Sequence, residues 1–287
     1  RSEMDAFASS KRRATPTLVV AGTSSGVGKT TVAVGLMRAL HAGGARVQPF
    51  KVGPDFLDGM HHAAACGIAS INLDGWLMGR EGCLRAFHAA VAASAADIAI
   101  VEGCMGLHDG RDGCSDEGST AQVAKWLGAP VLLVLDAWNL SRSAAAMVHG
   151  YKTFDTDVAL AGVVFNRVAG SSHAEWIRQA MSSAVTTADV VVLGCMPSDK
   201  RLAMPERLLG LLPPAAAGHT DRLRALQGIV DAHVDLAALR ALAATAIVPP
   251  PPPSVLAPMS DLTVLLPPVR IGVARDAAFC FVYQDNL

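Results

Sequence analysis

Several features are missing from this chain, and each absence removes a class of protein. Its six cysteines (Cys66, Cys83, Cys104, Cys114, Cys195, Cys280) form no CxxC pair. Neither Cys104, His108 and Cys114 nor His61, His62 and Cys66 has the paired spacing of a structural zinc site. A reducing compartment is the natural home for such thiols. No apolar run reaches membrane-span length, because Asp, Arg or Pro interrupts each one. No hydrophobic signal-peptide core precedes the first expected strand. Charge excess is absent too: 24 Lys and Arg balance 25 Asp and Glu, for a net charge of −1. That leaves no electrostatic footprint for nucleic acid or an anionic membrane. The densest basic run, Lys11-Arg12-Arg13, reads as part of a solvated tail over residues 1–16. The cytoplasm is the expected location. A basic, Ser-containing leader leaves organelle import open, although Glu3 and Asp5 argue against a presequence.

What is present is a core. Hydrophobic residues make up 51% of the 287, and only 17% are charged, which excludes disorder and allows one large α/β domain with an accessory piece. Apolar runs recur at 17–21, 47–52, 98–101, 130–135, 161–165 and 190–193. Helical-period or Ala-rich stretches separate most of them, at 29–41, 81–93, 120–127, 141–151 and 173–182. Continuous apolar strands alternating with helices predict a doubly wound, mostly parallel α/β sheet, with ligands at the C-terminal strand ends. Residues 227–244 read as one more helix. A proline-rich linker is expected over 246–268, with Pro249–Pro253 in succession. A new strand is expected over 269–273.

The most telling stretch is TLVVAGTSSGVGKTT, residues 17–31. A β-branched run breaks into a Gly-rich turn, and Gly28-Lys29-Thr30 opens an amphipathic segment. A strand feeding such a turn into a helix aims backbone N–H groups and a helix N-terminus at one point, which is a phosphate site. The Ser25–Thr31 loop (Ser25, Gly26, Val27, Gly28, Lys29, Thr30, Thr31) would cradle a nucleotide. Lys29 would reach the β- and γ-phosphates and Thr30 would ligate Mg²⁺. The strict motif places a Gly where Thr23 stands. The same segment satisfies G-x-S-x-G, the nucleophile elbow of α/β-hydrolases. That reading explains neither Gly28-Lys29-Thr30 nor the acids further on, so the phosphate loop accounts for more residues.

Lys51, Asp55 and Asp58 follow the second strand, where a Lys and a carboxylate suit charge neutralisation and Mg²⁺. A plain surface pair is the alternative. Glu102 closes the third expected strand, where an acid beside the P-loop strand holds Mg²⁺ or its water, and Gly103 permits close backbone approach. Ser119 and Thr120 open a helix: Ser119 caps it with Gln122 in the capping-box position, or the helix start receives a substrate carboxylate. His108 and Asp136 stay open between loop polar groups and ligand contacts. Asn166, followed by Arg167, would present an amide to an adenine edge.

The motifs GTSSGVGKTT, FKVGPDFLD, NLDGW, VEGCMGLHDG, GST, GVVFNRV and PERLLGL occur in the order seen in cobyrinic acid a,c-diamide synthases, which the chain resembles from about Thr17 onward. The wider group includes dethiobiotin synthetase and cobyric acid synthase and shares the P-loop fold. The segment VARDAAFCFVYQDNL resembles the opening strand of that family's glutamine amidotransferase domain, over 269–287, with the synthetase domain over 17–245. The resemblance implies ATP- and Mg²⁺-dependent amidation of a corrin-type tetrapyrrole, with ammonia from glutamine, and is compatible with a homodimer. It makes Lys29, Lys51, Asp55 and Glu102 catalytic, with Thr30, Asp55 and Glu102 around the metal. It puts Asp58, Asp109, Ser119 and Thr120 on the substrate side and Asn166 at adenine. Gly59, His108 and Leu208 stand where the family often has Pro, Tyr and His. Two other P-loop readings are a dethiobiotin synthetase type and a partitioning-type switch ATPase. The switch type carries an early P-loop Lys where this chain has Ser24.

Overall fold

A computed structural model describes residues 15–202, 206–207, 210–211, 214, 219–253, 270–276 and 278–287. The basic tripeptide Lys11-Arg12-Arg13, Leu208 and the later part of the proline-rich stretch lie outside the described residues. The elements alternate from the start: β1 (Thr17–Gly22), α1 (Lys29–Ala42), β2 (Val47–Val52), α2 (Leu57–Cys66), β3 (Ile71–Leu73), α3 (Gly75–Ser94). Then come β4 (Ile98–Glu102), α4 (Thr120–Leu127), β5 (Val131–Asp136), α5 (Ser143–Phe154), β6 (Leu160–Val168), α6 (Ser171–Ser183) and β7 (Val191–Pro197). A two-residue pairing of β8 (Glu206–Arg207) with β9 (Gly210–Leu211) precedes α7 (His219–His233) and α8 (Leu236–Ala243).

Seven strands form one parallel sheet in the order β3-β2-β4-β1-β5-β6-β7. β1 is central, flanked by β4 and β5, so the order reverses beside the strand that feeds the Gly-rich turn. Side chains alternate across each strand. Leu18 and Val20 join one core with α1, α7 and α8, and Val19 and Ala21 join the opposite core with α3 to α6. Every residue of β1 is buried, as expected for a strand covered on both faces. The doubly wound expectation therefore holds.

Four local readings need correction. No sequence signal marks α2 and β3, because Gly59, the His61-His62 pair and an Ala run blur any apolar stripe, and β3 has three residues. Helix α3 starts at Gly75, not near residue 81: Asp74 Oδ1 accepts from the Trp76 and Leu77 amides, and the helix is kinked at Gly79 (φ 63°). The single helix expected over 227–244 is two. Val234 bridges to Gly194 of β7, and Asp235 then caps α8 by accepting from the Ala238 amide (2.9 Å). Among the described residues, 270–273 carry no strand pairing. The start of the proline stretch is fastened down: the Ile247 amide donates to Gly128 O (2.9 Å), and a His88 ring nitrogen lies 2.7 Å from Pro249 O. Among the described residues, no helix is long and apolar enough to cross a membrane.

Candidate active site

The turn after β1 is built from glycines that nothing else could replace. A Cβ on Gly22 would sit 2.8 Å from both Val27 and Lys29 side-chain atoms. Gly28 has φ 97°, and a Cβ there would come within 2.2 Å of Asn166 Nδ2. A Cβ on Gly26 would meet no atom within 4 Å, but its φ of 79° is a left-handed conformation that other residues adopt only under strain. Helix α1 begins without a side-chain cap, whereas α3, α4 and α8 are capped by Asp74, Ser119 and Asp235. Its first-turn N–H groups are left facing the loop, which suits an anion. Lys29 is buried and donates from Nζ to Ser24 O (2.9 Å), curling back over the loop. Ser24 Oγ is exposed and reaches only the neighbouring Ser25 O (3.2 Å), so the nucleophile-elbow reading has no support in the geometry.

Strand register then assembles the charges. Lys51 of β2 lies opposite Glu102 of β4, and Glu102 lies opposite Val20 of β1. Lys51 Nζ donates to Gly103 O (2.8 Å), pairs with Asp58 Oδ2 (2.6 Å) and sits 3.5 Å from Glu102 Oε1. Thr30 Oγ1 donates to Glu102 Oε1 (2.6 Å), and His62 Nε2 meets Glu102 Oε2 at 2.5 Å. Glu102 is 0% exposed, yet Lys51 and the hydrogen bonds from His62 and Thr30 overcome the cost of burial and hold its carboxyl at about 2. Burial would discharge Lys51, but Glu102 and Asp58 hold its ammonium above the ordinary range. Lys29 moves the other way, pulled down by burial and by Lys51 beside it. Asp58 is pushed up by burial and by the charge of Glu102, against the pull of Lys51.

Five expected residues thus converge: Lys29, Thr30, Lys51, Asp58 and Glu102. Asp55 stands one step outward, accepting the Asp58 amide on Oδ1 (2.8 Å) rather than touching Thr30 or Glu102. Asn166 is buried beside the loop, its Nδ2 donating to Val27 O (2.9 Å). With Gly28, Thr31 and Arg167 it lines a cavity of about 240 Å³ that reaches Pro197 and Leu202. Asp109 is exposed on the rim and accepts the Gly106 amide (2.9 Å). Ser119 and Thr120 are buried with their hydroxyls occupied. Ser119 Oγ accepts the Gln122 amide (3.1 Å), and Thr120 Oγ1 exchanges hydrogen bonds with both backbone groups of Cys104. Capping and loop support, not an exposed substrate contact, is what their geometry provides.

Sequence reasoning missed four supporting residues. His62 lies four positions after Asp58, on the same face of α2, and that spacing was the available signal. Asn72 Nδ2 donates to Gly53 O (2.8 Å) and Asp55 O (2.9 Å), bracing the acid-bearing loop from within. Arg167 pairs with Asp136 and donates to Gly26 O (2.9 Å), so Asp136 belongs to a brace under the loop. Tyr151 Oη donates to Thr23 O (2.5 Å). The last two span more than a hundred residues, which no local pattern reveals. Among the described residues, no group of three or more His, Cys, Asp or Glu could hold a metal by itself. One hydroxyl and nearby carboxylates instead offer the oxygen-only donors that a hard cation shares with phosphate and water.

The model of the CobQ/CobB/MinD/ParA nucleotide binding domain matches residues 18–210. The chain belongs to that family. In this CobQ/CobB/MinD/ParA domain the matched segment takes in all seven strands of the parallel sheet. A cobyrinate a,c-diamide synthase of Methanosarcina acetivorans is 40% identical over 281 residues, covering 95% of this chain and 56% of the relative. That of Syntrophotalea carbinolica is 44% identical over 273 residues, covering 95% and 57%. A hydrogenobyrinate a,c-diamide synthase of Mycobacterium bovis is 43% identical over 275 residues, covering 94% and 58%. The chain therefore spans a little over half the length of the curated relatives it matches.

Proposed function

We propose that this chain is the ATP-dependent amidoligase portion of an a,c-diamide synthase, converting the a and c carboxylates of a corrin-type tetrapyrrole into amides. The printed names of the relatives supply the substrate class. The observation that carries the chemistry is the cluster of buried Lys51 and Glu102 with half-buried Thr30 at the mouth of the glycine turn. Residues 17–245 form the synthetase unit, 246–268 link it onward, and 269–287 open a glutamine amidotransferase-type portion that delivers ammonia in the complete protein. The proposed setting is the cytoplasm, as part of cobalamin biosynthesis.

The backbone amides of Gly26–Thr31 receive the phosphates of ATP, and the Asn166 amide faces the adenine edge from the neighbouring cavity. Lys29 moves from Ser24 O onto the terminal phosphates, and Lys51 places a second permanent cation there. Thr30 and Glu102, with Asp55 one step outward, would hold Mg²⁺ or its water, and the ion when bound would supply neutralisation of charge on the phosphate oxygens. Asp58 and Asp109 lie toward the carboxylate substrate. The substrate carboxylate attacks the γ-phosphoryl group and becomes an acyl phosphate, ADP departs, and ammonia then displaces phosphate. No protein nucleophile is needed, because positioning and charge neutralisation lower the barrier.

The test is incubation with Mg-ATP, ammonium chloride and either cobalt-containing or metal-free corrin acid, or a nickel sirohydrochlorin, with products read by mass spectrometry. Mono- and diamide masses are expected from a corrin acid and none without ATP; their absence from every macrocycle would sink the reading. ATP at about 100 times its dissociation constant adds about 2.7 kcal/mol of stability, so the melting temperature rises. Lys29→Ala abolishes that rise; an equal rise in the variant would put the phosphates elsewhere.

A further inference from the structure

The segment beyond the proline stretch is seated on the loop that carries Asp55 and Asp58. Phe56 lies between those acids, and its ring stacks on Phe281 (centroids 5.2 Å apart, planes 4° apart) and on Tyr283 (4.2 Å, 19°). Tyr283 Oη donates to Pro54 O (2.8 Å). Phe281 and Tyr283 are two residues apart, so one side of an extended segment presents both rings. Cys280 and Val282 close a small groove of about 120 Å³ against Phe56, Gly59 and Met60 at the start of α2. The loop is thus gripped from two sides. Asn72 holds Gly53 O and Asp55 O from within, and the aromatic pair holds Pro54 and Phe56 from without. Its inner end is the Asp58–Lys51 pair.

The grip bears on the site rather than on the sheet core. Phe281 remains 50% exposed, so its stacking buries little apolar area, and what it immobilises is the stretch between two acids. We propose that Phe281 and Tyr283 are positioning residues that clamp the Pro54–Asp58 loop and so set where Asp55 and Asp58 stand beside Lys51. The kinetic consequence rests on the amidation reading above; the clamp does not. If residues 269–287 open the ammonia-delivering portion, its seating is transmitted through Phe56 to Asp55 on the metal side and Asp58 on the substrate side.

The double variant Phe281→Ala/Tyr283→Ala and the milder Tyr283→Phe test this, with amide hydrogen exchange over residues 55–60 and steady-state kinetics as readouts. Losing two stacked ring contacts is expected to speed exchange there by about tenfold. The KM for the corrin carboxylate rises by a similar factor, while ATP still raises the melting temperature. Tyr283→Phe moves exchange and KM in the same direction by less. Unchanged exchange at 55–60 in the double variant overturns the clamp. So does a double variant that loses the ATP-induced shift while Tyr283→Phe matches wild type in both exchange and KM, because the rings then serve the fold. A wild-type protein that amidates no corrin, with exchange at 55–60 still faster in the double variant, overturns the reaction and upholds the clamp.

Discussion

Glu102 is the residue on which the site turns, and its burial makes its charge state a stability term. Its folded pKa of about 2 lies below the ordinary 4.5 because Lys51, His62 and Thr30 together outweigh the cost of burial. Between those values the unfolded chain takes up a proton that the folded chain refuses. Stability from Glu102 is therefore full above the ordinary glutamate range and is lost as pH falls toward 2. Asp58 is shifted upward and works in the opposite sense, since protonation relieves its buried charge, so the net acid loss is shallower than Glu102 alone would give. Denaturant titrations from pH 7 down to pH 2 should show this decline. Glu102→Gln should flatten it and lower stability at pH 7 by roughly 3–5 kcal/mol, the usual cost of leaving a buried partner unpaired. A variant that keeps both wild-type stability and the acid decline would place the charge balance elsewhere.

At the scale of elements, the junction of β1 with α1 depends on a left-handed residue at the helix start. Gly28 combines φ 97° with the contact to Asn166 Nδ2, so Gly28→Ala carries backbone strain of about 1–2 kcal/mol before the side chains collide. The ATP-induced melting shift should vanish with it, because the loop amides no longer converge. Gly150 in α5 and Gly228 in α7 are exposed helical glycines with nothing within 4 Å of an added Cβ. Gly150→Ala and Gly228→Ala should each stabilise by about 0.5–1 kcal/mol with ATP binding unchanged. Thermal melts of the three variants, with and without ATP, separate the two behaviours; a destabilised Gly150→Ala would contradict the helical environment described.

For the whole molecule, the amidation reading raises the question of which nitrogen source this chain would use. No G-x-C-x-G-like turn occurs in the sequence, and Cys280 lies in the groove beside Phe56, away from any activating base described. With a corrin diacid and Mg-ATP, ammonium chloride should yield amide and glutamine should not. The rate should climb with pH toward the ammonium pKa, since only free ammonia attacks an acyl phosphate. Glutamine-supported product that a thiol reagent abolishes would sink this division of labour. Beside that groove, Phe281 and Tyr283 both stack on Phe56.

The sequence by itself determined the doubly wound sheet, because buried parallel strands must be continuous apolar runs, and it determined the glycine turn and the acid closing β4, because strand ends and loop chemistry are local. Lys29, Thr30, Lys51, Asp58 and Glu102 were legible in the sequence as candidate site residues, and the structure brings them together. Only the tertiary structure decided how they share charge. The contacts of Glu102 with His62, 40 residues away, and with Thr30, 72 residues away, follow from strand order and register, which no local pattern encodes. The same holds for Asn166 under the glycine turn and for Arg167 bracing Gly26. Ser119 and Thr120 show the converse: a helix start looks alike in sequence whether it faces a ligand or is buried, and burial, a property of packing, settled their hydroxyls on capping and loop support.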